Sequence, residues 1–237
     1  MARRRHAAIF VLSCCCITAA WTVQAQERPW SVLIKGTVTT SSQLYPDPGS
    51  LDPVVRGQSY ELNSSLGYAA EVRYALPEIR LALGVSVEYI HAKFDRSIQT
   101  VSGEVIPMTD GYKVIPVELT GYFIIPFSGS TIGMYMGAGG GLYFGRRMLD
   151  EAGAESTSES VSPGAGIHVL VGTSYEPFAG VQVLGEMKFR DLQFHGVNSY
   201  SASQTVYQGI TVPLEQHQES QIHTDGVMFQ IGLAVIL

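Results

Sequence analysis

Polar and apolar residues alternate with a period of two through most of this sequence. Apolar side chains occupy the even positions of 66–76 and the odd positions of 81–89, and Pro77-Glu78 lies between the two segments. Because successive residues of a strand point to opposite faces, each segment has one apolar face and one polar or small face. The pair predicts a β-hairpin with a tight turn.

The same unit recurs along the chain. Apolar faces return at 115–125 and 132–144, and again at 167–175 and 181–189. The turn prolines Pro77, Pro126 and Pro177 are spaced by 49 and 51 residues, which indicates a hairpin repeat. Single alternating segments at 32–38 and 227–237 complete a set of eight strands.

Short and long connections alternate between these strands. Tight turns at the three prolines separate four long polar connections, at roughly 41–64, 93–111, 146–160 and 194–223. Bacterial outer-membrane barrels have short periplasmic turns and longer extracellular loops, and strands of about 9–11 residues cross the bilayer. The sequence therefore predicts an all-β protein, an eight-stranded antiparallel up-and-down transmembrane β-barrel with short periplasmic turns and long extracellular loops.

The N-terminal segment has the pattern of a cleaved secretory signal. Arg3, Arg4 and Arg5 precede the apolar run 7–23, and Val23-Gln24-Ala25 has the small-x-small pattern of a cleavage site. We expect residues 1–25 to be the signal peptide and residues 26–237 to be the barrel domain. An alternative is a lipoprotein lipidated at Cys14. The three cysteines lie at 14–16, so the expected mature chain has no disulfide and no thiolate metal site.

Charge and hydropathy restrict the possible partners. The formal net charge is −6 for the whole chain, and it becomes more negative when the signal peptide with its three arginines is removed. Such an acidic protein is a poor candidate for binding nucleic acid. No other apolar run reaches the length of a spanning helix, so a membrane location requires a closed barrel. We expect a monomer in the outer membrane of a Gram-negative cell, in contact with outer-membrane lipids and lipopolysaccharide, and with the barrel-assembly machinery during insertion.

Alternation alone does not fix which face is inside, and a soluble lipocalin-like calyx that binds an apolar ligand is the alternative. About five apolar side chains on each of eight strands are too many for the interior of so narrow a barrel. The opposite face combines glycine and tyrosine near 133–143 with charges of both signs, which suits a crowded and paired interior. The predicted lumen charge network contains Glu71, Arg73, Arg80, Glu88, Glu118, Glu186, Lys188 and Arg190.

Three stretches, 66–89, 115–145 and 225–237, resemble the small outer-membrane β-barrel superfamily of OmpA-, OmpX- and OmpW-type proteins. The resemblance is carried by the segment 114–119 that leads to Tyr122-Phe123, by the segment Tyr135-Met136-Gly137-Ala138-Gly139-Gly140-Gly141, and by the closing segment 226–233. It implies an eight-stranded membrane barrel and assigns no catalytic residue.

No motif for catalysis, cofactor binding or metal binding emerges. Gly137–Gly141 lacks the Lys-Ser/Thr of a phosphate-binding loop and keeps the period of a strand. His168 stands alone on its strand, while His195, His217 and His223 share a polar connection with Glu215 and Glu219 in a spacing that matches no established zinc site. A lipid A-modifying enzyme using Asp191, His195 and Ser199 is the enzymatic alternative.

Eight strands enclose a space that side chains fill, whereas general porins have about twice as many strands. The sequence thus favours a non-enzymatic envelope protein with a structural or surface-interaction role, without catalytic residues, cofactor or metal.

Overall fold

The computed structural model describes residues 29–46, 48–99, 103–126, 132–224 and 226–237, so the predicted signal peptide and Cys14 lie outside the described residues. The described chain is almost entirely antiparallel strand. The strands are β1 (Trp30–Tyr45), β2 (Tyr60–Leu76), β3 (Leu81–Gln99), β4 (Val105–Ile124), β5 (Ile132–Glu151), β6 (Ala154–Glu155), β7 (Thr157–Val161), β8 (Gly164–Phe178), β9 (Val181–Ser199), β10 (Gln204–Tyr207), β11 (Ile210–Pro213), β12 (Gln218–Thr224) and β13 (Val227–Ile236).

Eight positions around a ring are filled by these strands. The hydrogen-bonded order is β1, β2, β3, β4, β5, β8 and β9, followed by β12 and β13, which share the eighth position. Both β12 and β13 pair with β9 on one side and with β1 on the other, so the sheet closes on itself. Closure leaves none of the eight positions as an exposed edge. The predicted eight-stranded up-and-down barrel is confirmed.

In the part of the chain that the structure describes, helical structure is limited to two short segments. A four-residue α-helix, Pro53–Arg56, lies between β1 and β2, and a 3-10 turn, Pro77–Ile79, joins β2 to β3. Among the described residues, no helix is long and apolar enough to cross a membrane.

On the eight strand segments that the sequence predicts, the apolar face points away from the barrel axis, as expected. Val85, Val117 and Ile231 are 52%, 37% and 73% exposed, whereas Glu71 and Lys188 are 2% and 4% exposed. An exposed apolar surface that continues around a closed ring is stable in hydrocarbon and not in water. The soluble calyx, whose apolar side chains would line the interior, is therefore excluded.

The strands extend far past the predicted boundaries at one end of the barrel. β3, β4, β5 and β9 contain 19 or 20 residues each, about twice the predicted length. The predicted connections at 93–111, 146–160 and 194–223 are largely strand, and 41–64 is strand at both of its ends. The sequence predicts connections here because these segments are rich in polar residues and lack the sharp two-faced alternation of the other strands. The ladder nevertheless continues, because β3 stays paired with β4 up to Gln99, β4 with β5 up to Glu151, and β9 with β12 up to Asn198. We call this end the loop end.

The opposite end, which we call the turn end, carries the short connections and both ends of the described chain. Between β8 and β9 the turn occurs at Ala179–Gly180, within the predicted turn of residues 177–180, and Gly180 has a left-handed φ of 81° that a glycine adopts without strain. Pro177 lies within β8, where the register with β9 is interrupted. Arg80 has a φ of 55° and is exposed in the turn before β3. Its prediction as a lumen residue was wrong, because the turn breaks the alternation there.

Candidate functional site

The interior at the level of the membrane contains a first cluster of four charged side chains from β1, β2 and β9. Lys35 Nζ lies 2.6 Å from both Glu71 Oε2 and Glu186 Oε2. Arg73 Nε donates to Glu71 Oε1 at 2.9 Å, and Arg73 Nη2 donates to Glu186 Oε1 at 3.2 Å. Two cations and two carboxylates thus form a closed square across the lumen, which is the arrangement that makes buried charges tolerable.

Two tyrosines complete the coordination of this first cluster. Tyr122 donates its hydroxyl to Glu71 Oε1 and Tyr135 donates to Glu186 Oε1, each at 2.7 Å. The Arg73 guanidinium lies over the Tyr122 ring, 3.8 Å from its centroid. The aromatic rings therefore fill the lumen on the turn-end side of the ion pairs while their hydroxyls satisfy the carboxylates.

A second cluster is centred on Glu118 of β4. Lys188 Nζ donates to Glu118 Oε2 at 2.8 Å, and Arg190 Nε and the Tyr143 hydroxyl donate to Glu118 Oε1 at 2.8 and 3.0 Å. Arg190 Nη2 also donates to Glu88 Oε2 at 2.5 Å. Charge-assisted hydrogen bonds of this kind are roughly twice as strong as neutral ones, so the cluster joins four strands, β3, β4, β5 and β9, firmly across the lumen.

Polar side chains from two further strands surround the second cluster. Thr37 donates to Glu88 Oε1 at 2.8 Å. His168 Nε2 and Thr120 Oγ1 are 2.8 Å apart, and His168 Nδ1 is 3.6 Å from Glu118 Oε1. With these contacts, the two clusters receive side chains from β1, β2, β3, β4, β5, β8 and β9.

Seven of the eight predicted network residues lie in these two clusters, and Arg80 does not. Lys35 is not among the predicted network residues, although it has the inward parity of Leu33 and Thr37 and follows from the alternation of β1. With Lys35 included, the clusters contain four carboxylates and four cations besides His168. The lumen charges therefore balance, which leaves no excess of one sign to attract a permeating ion.

Apolar layers bound the ion pairs on both sides. On the turn-end side, Leu33, Leu170 and Leu184 pack with Tyr122 and Tyr135. On the loop-end side lies a larger layer. Its buried members are Leu44, Ile90, Ala92, Tyr112, Val114, Tyr143, Leu192, Phe194, Ile222 and Met228. Such a layer excludes water from the ion pairs and raises the strength of their electrostatic interactions.

The loop end is closed by a separate ion pair and by the β10–β11 hairpin, which we call the cap. Arg147 binds Asp110 with two hydrogen bonds, Nε to Oδ1 at 2.9 Å and Nη2 to Oδ2 at 2.6 Å. Beyond this pair, the β10–β11 hairpin packs Val212 against Ile106 and Ala152. Leu214, which follows the hairpin, is buried with Met108, Leu149 and Tyr200. The extension of the barrel beyond the membrane thus has its own apolar core.

Inward-facing glycines make room for the aromatic side chains of the lumen. A Cβ added at Gly172 would lie 2.5 Å from Tyr135 Cζ, and one added at Gly137 would lie 3.1 Å from Tyr122 Cδ1. A Cβ at Gly145 would overlap the ring of Phe194. The predicted pairing of bare glycine backbone with an aromatic ring on a neighbouring strand is therefore present inside the barrel.

The outer wall carries aromatic side chains near both edges of its apolar band. Near the turn end, Trp30 packs against Tyr74 with ring centroids 4.7 Å apart. Towards the loop end, Tyr68 and Tyr89 stack at 5.4 Å, and Phe144 lies opposite Ile115 in the register of β4 and β5. Two such girdles mark the interfaces of a membrane with water.

The residues of the enzymatic alternative do not form a site. Asp191, His195 and Ser199 lie on one face of β9 at intervals of four residues. Neighbouring members of this set are therefore separated by about 13 Å along the strand, far beyond hydrogen-bond reach. Without a base in contact with the serine hydroxyl, the set cannot generate a nucleophile.

The histidines of the long polar connection are also dispersed. Exposed His217 lies 3.4 Å from Glu159 and 3.9 Å from Glu219, while the His223 ring packs against Tyr45 at 5.0 Å. In the part of the chain that the structure describes, no group of three or more His, Cys, Asp or Glu side chains could hold a metal ion.

Comparison with known proteins finds similarity only at the level of the fold. No protein-family model matches the sequence, and no curated protein is significantly similar to it. The similar solved structures include Neisserial surface protein A, with 13% identity, a TM-score of 0.45, and coverage of 88% of this chain and 97% of that chain.

Two other similar structures are proteins of Yersinia pestis and Escherichia coli. The attachment invasion locus protein of Yersinia pestis has 12% identity, a TM-score of 0.39, and coverage of 87% of this chain and 99% of that chain. The outer membrane protease OmpT of Escherichia coli has 12% identity, a TM-score of 0.42, and coverage of 88% and 94%. At such identities these structures give no information on the activity of this chain.

Three features together define the class of this protein: the closed ring, the exposed apolar band with its two aromatic girdles, and the charged interior. The protein is an outer-membrane β-barrel of the small, eight-stranded type. The closed eight-position ring is the fold that the resemblance to OmpA-, OmpX- and OmpW-type barrels implies.

Proposed function

We propose that this protein is a non-enzymatic barrel whose filled lumen serves as a rigid scaffold for a surface-interacting loop end, and that it is not a general porin. The observation that carries the proposal is the stack of layers across the barrel. Two charge-balanced clusters lie between apolar layers, and the Asp110–Arg147 pair and the β10–β11 cap follow them. A hydrated ion would have to displace several of these layers to cross.

The loop end is the surface that can interact with other molecules. It consists of extended strands with their own apolar core instead of long irregular loops, and recognition sites are commonly carried by surface segments on rigid scaffolds. Lipids of the outer membrane and lipopolysaccharide are the partners of the apolar wall, and the barrel-assembly machinery is the partner during insertion. The folded protein acts as a monomer.

Planar bilayer recording tests the filled lumen. The purified protein is expected to give no sustained conductance in KCl under an applied voltage, whereas a general porin tested alongside opens reproducible channels. Stable channels of porin size would contradict the proposal. Cell fractionation combined with heat-dependent gel mobility tests the location, because a folded barrel migrates faster before boiling and remains in the outer-membrane fraction.

Mass spectrometry of lipid A tests the absence of enzymatic activity. A strain that lacks the gene is expected to have the same acylation pattern as its parent and as a strain that overexpresses the protein. The separation of Asp191, His195 and Ser199 along β9 supports this expectation. A change in acyl chain number that follows the protein level would refute it.

A further inference from the structure

A row of three basic side chains lies on the outer wall, one step beyond the aromatic girdle on the loop-end side. Along β3, β4 and β5, the next outward-facing residues after Tyr89, Ile115 and Phe144 are His91, Lys113 and Arg146. His91 is opposite Lys113 in the register of β3 and β4, and Lys113 is opposite Arg146 in the register of β4 and β5. We call His91, Lys113 and Arg146 the basic row.

The basic row brings like charges together without neutralising them. Side chains directly opposite each other on antiparallel strands have Cβ atoms about 5 Å apart, and like charges in this position destabilise the sheet. Within the described part of the chain, no ion pair involves Lys113 or Arg146. Lys93, one step further out on β3, is 3.8 Å from Asp95. An external anion would remove the repulsion between Lys113 and Arg146.

The positive charge is confined to one side of the barrel. At the corresponding step past the apolar band on β1, β8 and β9, the outward-facing residues are Thr40, Ala165 and Asp191. Beside the basic row, a recess of about 420 Å³ is lined by Lys113, Arg146 and the hydroxyl side chains of Ser156, Thr157 and Ser158. Three carboxylates also lie in its wall, and Asp110, one of them, is already paired with Arg147; the other two are Asp150 and Glu155. Cations and hydroxyls together are suited to phosphate oxygens on a sugar.

The height of the row identifies the source of the phosphate. Aromatic girdles lie at the level of lipid headgroups, and the basic row stands about two strand residues, roughly 6 Å, beyond one of them. We infer that the basic row binds the phosphate groups of lipid A in the outer leaflet, with Lys113 and Arg146 as the anion-binding residues. The inference rests on the membrane position of the proposed function and adds to it a defined lipid site.

Native mass spectrometry of the folded full-length barrel in detergent can measure this binding. The probe is bisphosphorylated lipid A, titrated in parallel with the same lipid after removal of its phosphates. The parent protein is expected to retain the bisphosphorylated lipid and to lose most of that affinity when the phosphates are absent. Equal retention of both lipids would overturn the inference without any substitution being made.

Substitutions then locate the site. Lys113→Gln combined with Arg146→Gln is expected to weaken lipid A binding about 25-fold, since each removed surface cation reduces affinity for anionic lipid about fivefold. Arg56→Gln combined with Arg80→Gln is the matched control, because it removes two exposed cations outside the row and is expected to leave the affinity within about twofold. Equal loss in both pairs would overturn the inference.

Two further arms separate the remaining explanations. The charge-retaining pair Lys113→Arg and Arg146→Lys is expected to bind like the parent, and a loss as large as that of the glutamine pair would contradict an electrostatic site. Excess inorganic phosphate is expected not to displace lipid A, and its displacement would indicate a site for free anions instead. All variants must show the fast-migrating folded band, so that failure of the barrel itself is distinguished from failure of this site.

Discussion

The replacement Glu118→Gln tests whether the lumen ion pairs are dehydrated. Glu118 accepts hydrogen bonds from Lys188, Arg190 and Tyr143, and its side chain is 1% exposed. Glutamine has nearly the same shape and can still accept hydrogen bonds, so the substitution removes the charge with little change in packing. Arg190 keeps its ion pair with Glu88, whereas Lys188 has no other carboxylate within ion-pair distance in the described structure.

The expected loss of stability follows from that stranded lysine. Removing one partner of a buried ion pair costs about 3–5 kcal/mol, because the other charge stays buried without compensation. Since the introduced glutamine would still accept hydrogen bonds from Arg190 and Tyr143, we expect a loss at the lower end, about 3 kcal/mol. If the lumen were filled with water, the same pair would contribute only about 0–1 kcal/mol. The magnitude therefore distinguishes a packed lumen from a hydrated one.

Urea unfolding in phospholipid vesicles provides the measurement. Tryptophan fluorescence and the fraction of the fast-migrating band report the folded state. The slope of the free energy of unfolding against urea concentration should be the same in variant and parent. The double variant Glu118→Gln/Lys188→Met removes both charges and is expected to return to within about 1 kcal/mol of the parent. A single variant as stable as the parent, or a double variant no more stable than the single one, would refute the reasoning.

Three further substitutions, and one matched control, probe other parts of the barrel. Gly145→Ala is expected to cost about 1–3 kcal/mol by driving a Cβ into the Phe194 ring, while Gly36→Ala on the open outer wall should change stability by less than about 0.5 kcal/mol in the same urea assay. Val212→Ser, which weakens the cap, is expected to speed limited proteolysis of the β10–β11 hairpin without releasing the protein from membranes; an unchanged cleavage rate would mean that the cap is not held by its apolar core. Burial raises the pKa of the Glu151 carboxyl, which lies beyond the apolar band, so folding favours its protonated form and the free energy of unfolding falls as the pH rises through that pKa. The variant Glu151→Gln should therefore unfold at a higher urea concentration than the parent at neutral pH, and at the same urea concentration at low pH. The opposite order would contradict this.

The parts of the fold that follow from local alternation could be predicted from the sequence. The outward position of Val85 and the inward position of Glu71 depend only on strand parity, since one face of each strand is strongly apolar. The same rule places Glu118 and Lys188 in the lumen. Arg80 escaped the rule because a left-handed backbone conformation precedes β3, and such a conformation is not evident from an arginine in the sequence.

The extension of the strands at the loop end could not be predicted in the same way. In the segment after residue 93, the apolar residues Phe94 and Ile98 lie on the inward face of β3, which is the polar face nearer the turn end, so the alternation of the membrane segment does not continue. Its stability depends on partners distant in the sequence, such as the packing of Val212 with Ile106. The Asp110–Arg147 pair is likewise formed by the register of β4 and β5, which short-range patterning does not specify.

A spin-label scan of residues 81–89 tests most directly which face of the barrel meets lipid. The three cysteines of the sequence lie at 14–16, so each introduced cysteine is the single thiol within residues 29–237. For the barrel in lipid bilayers, the account predicts that oxygen, which concentrates in hydrocarbon, collides frequently with labels at the odd positions 81, 83, 85 and 87 and rarely with labels at 82, 84, 86 and 88. High oxygen accessibility at the even positions, or high accessibility of the odd positions to a water-soluble collision reagent, would contradict it.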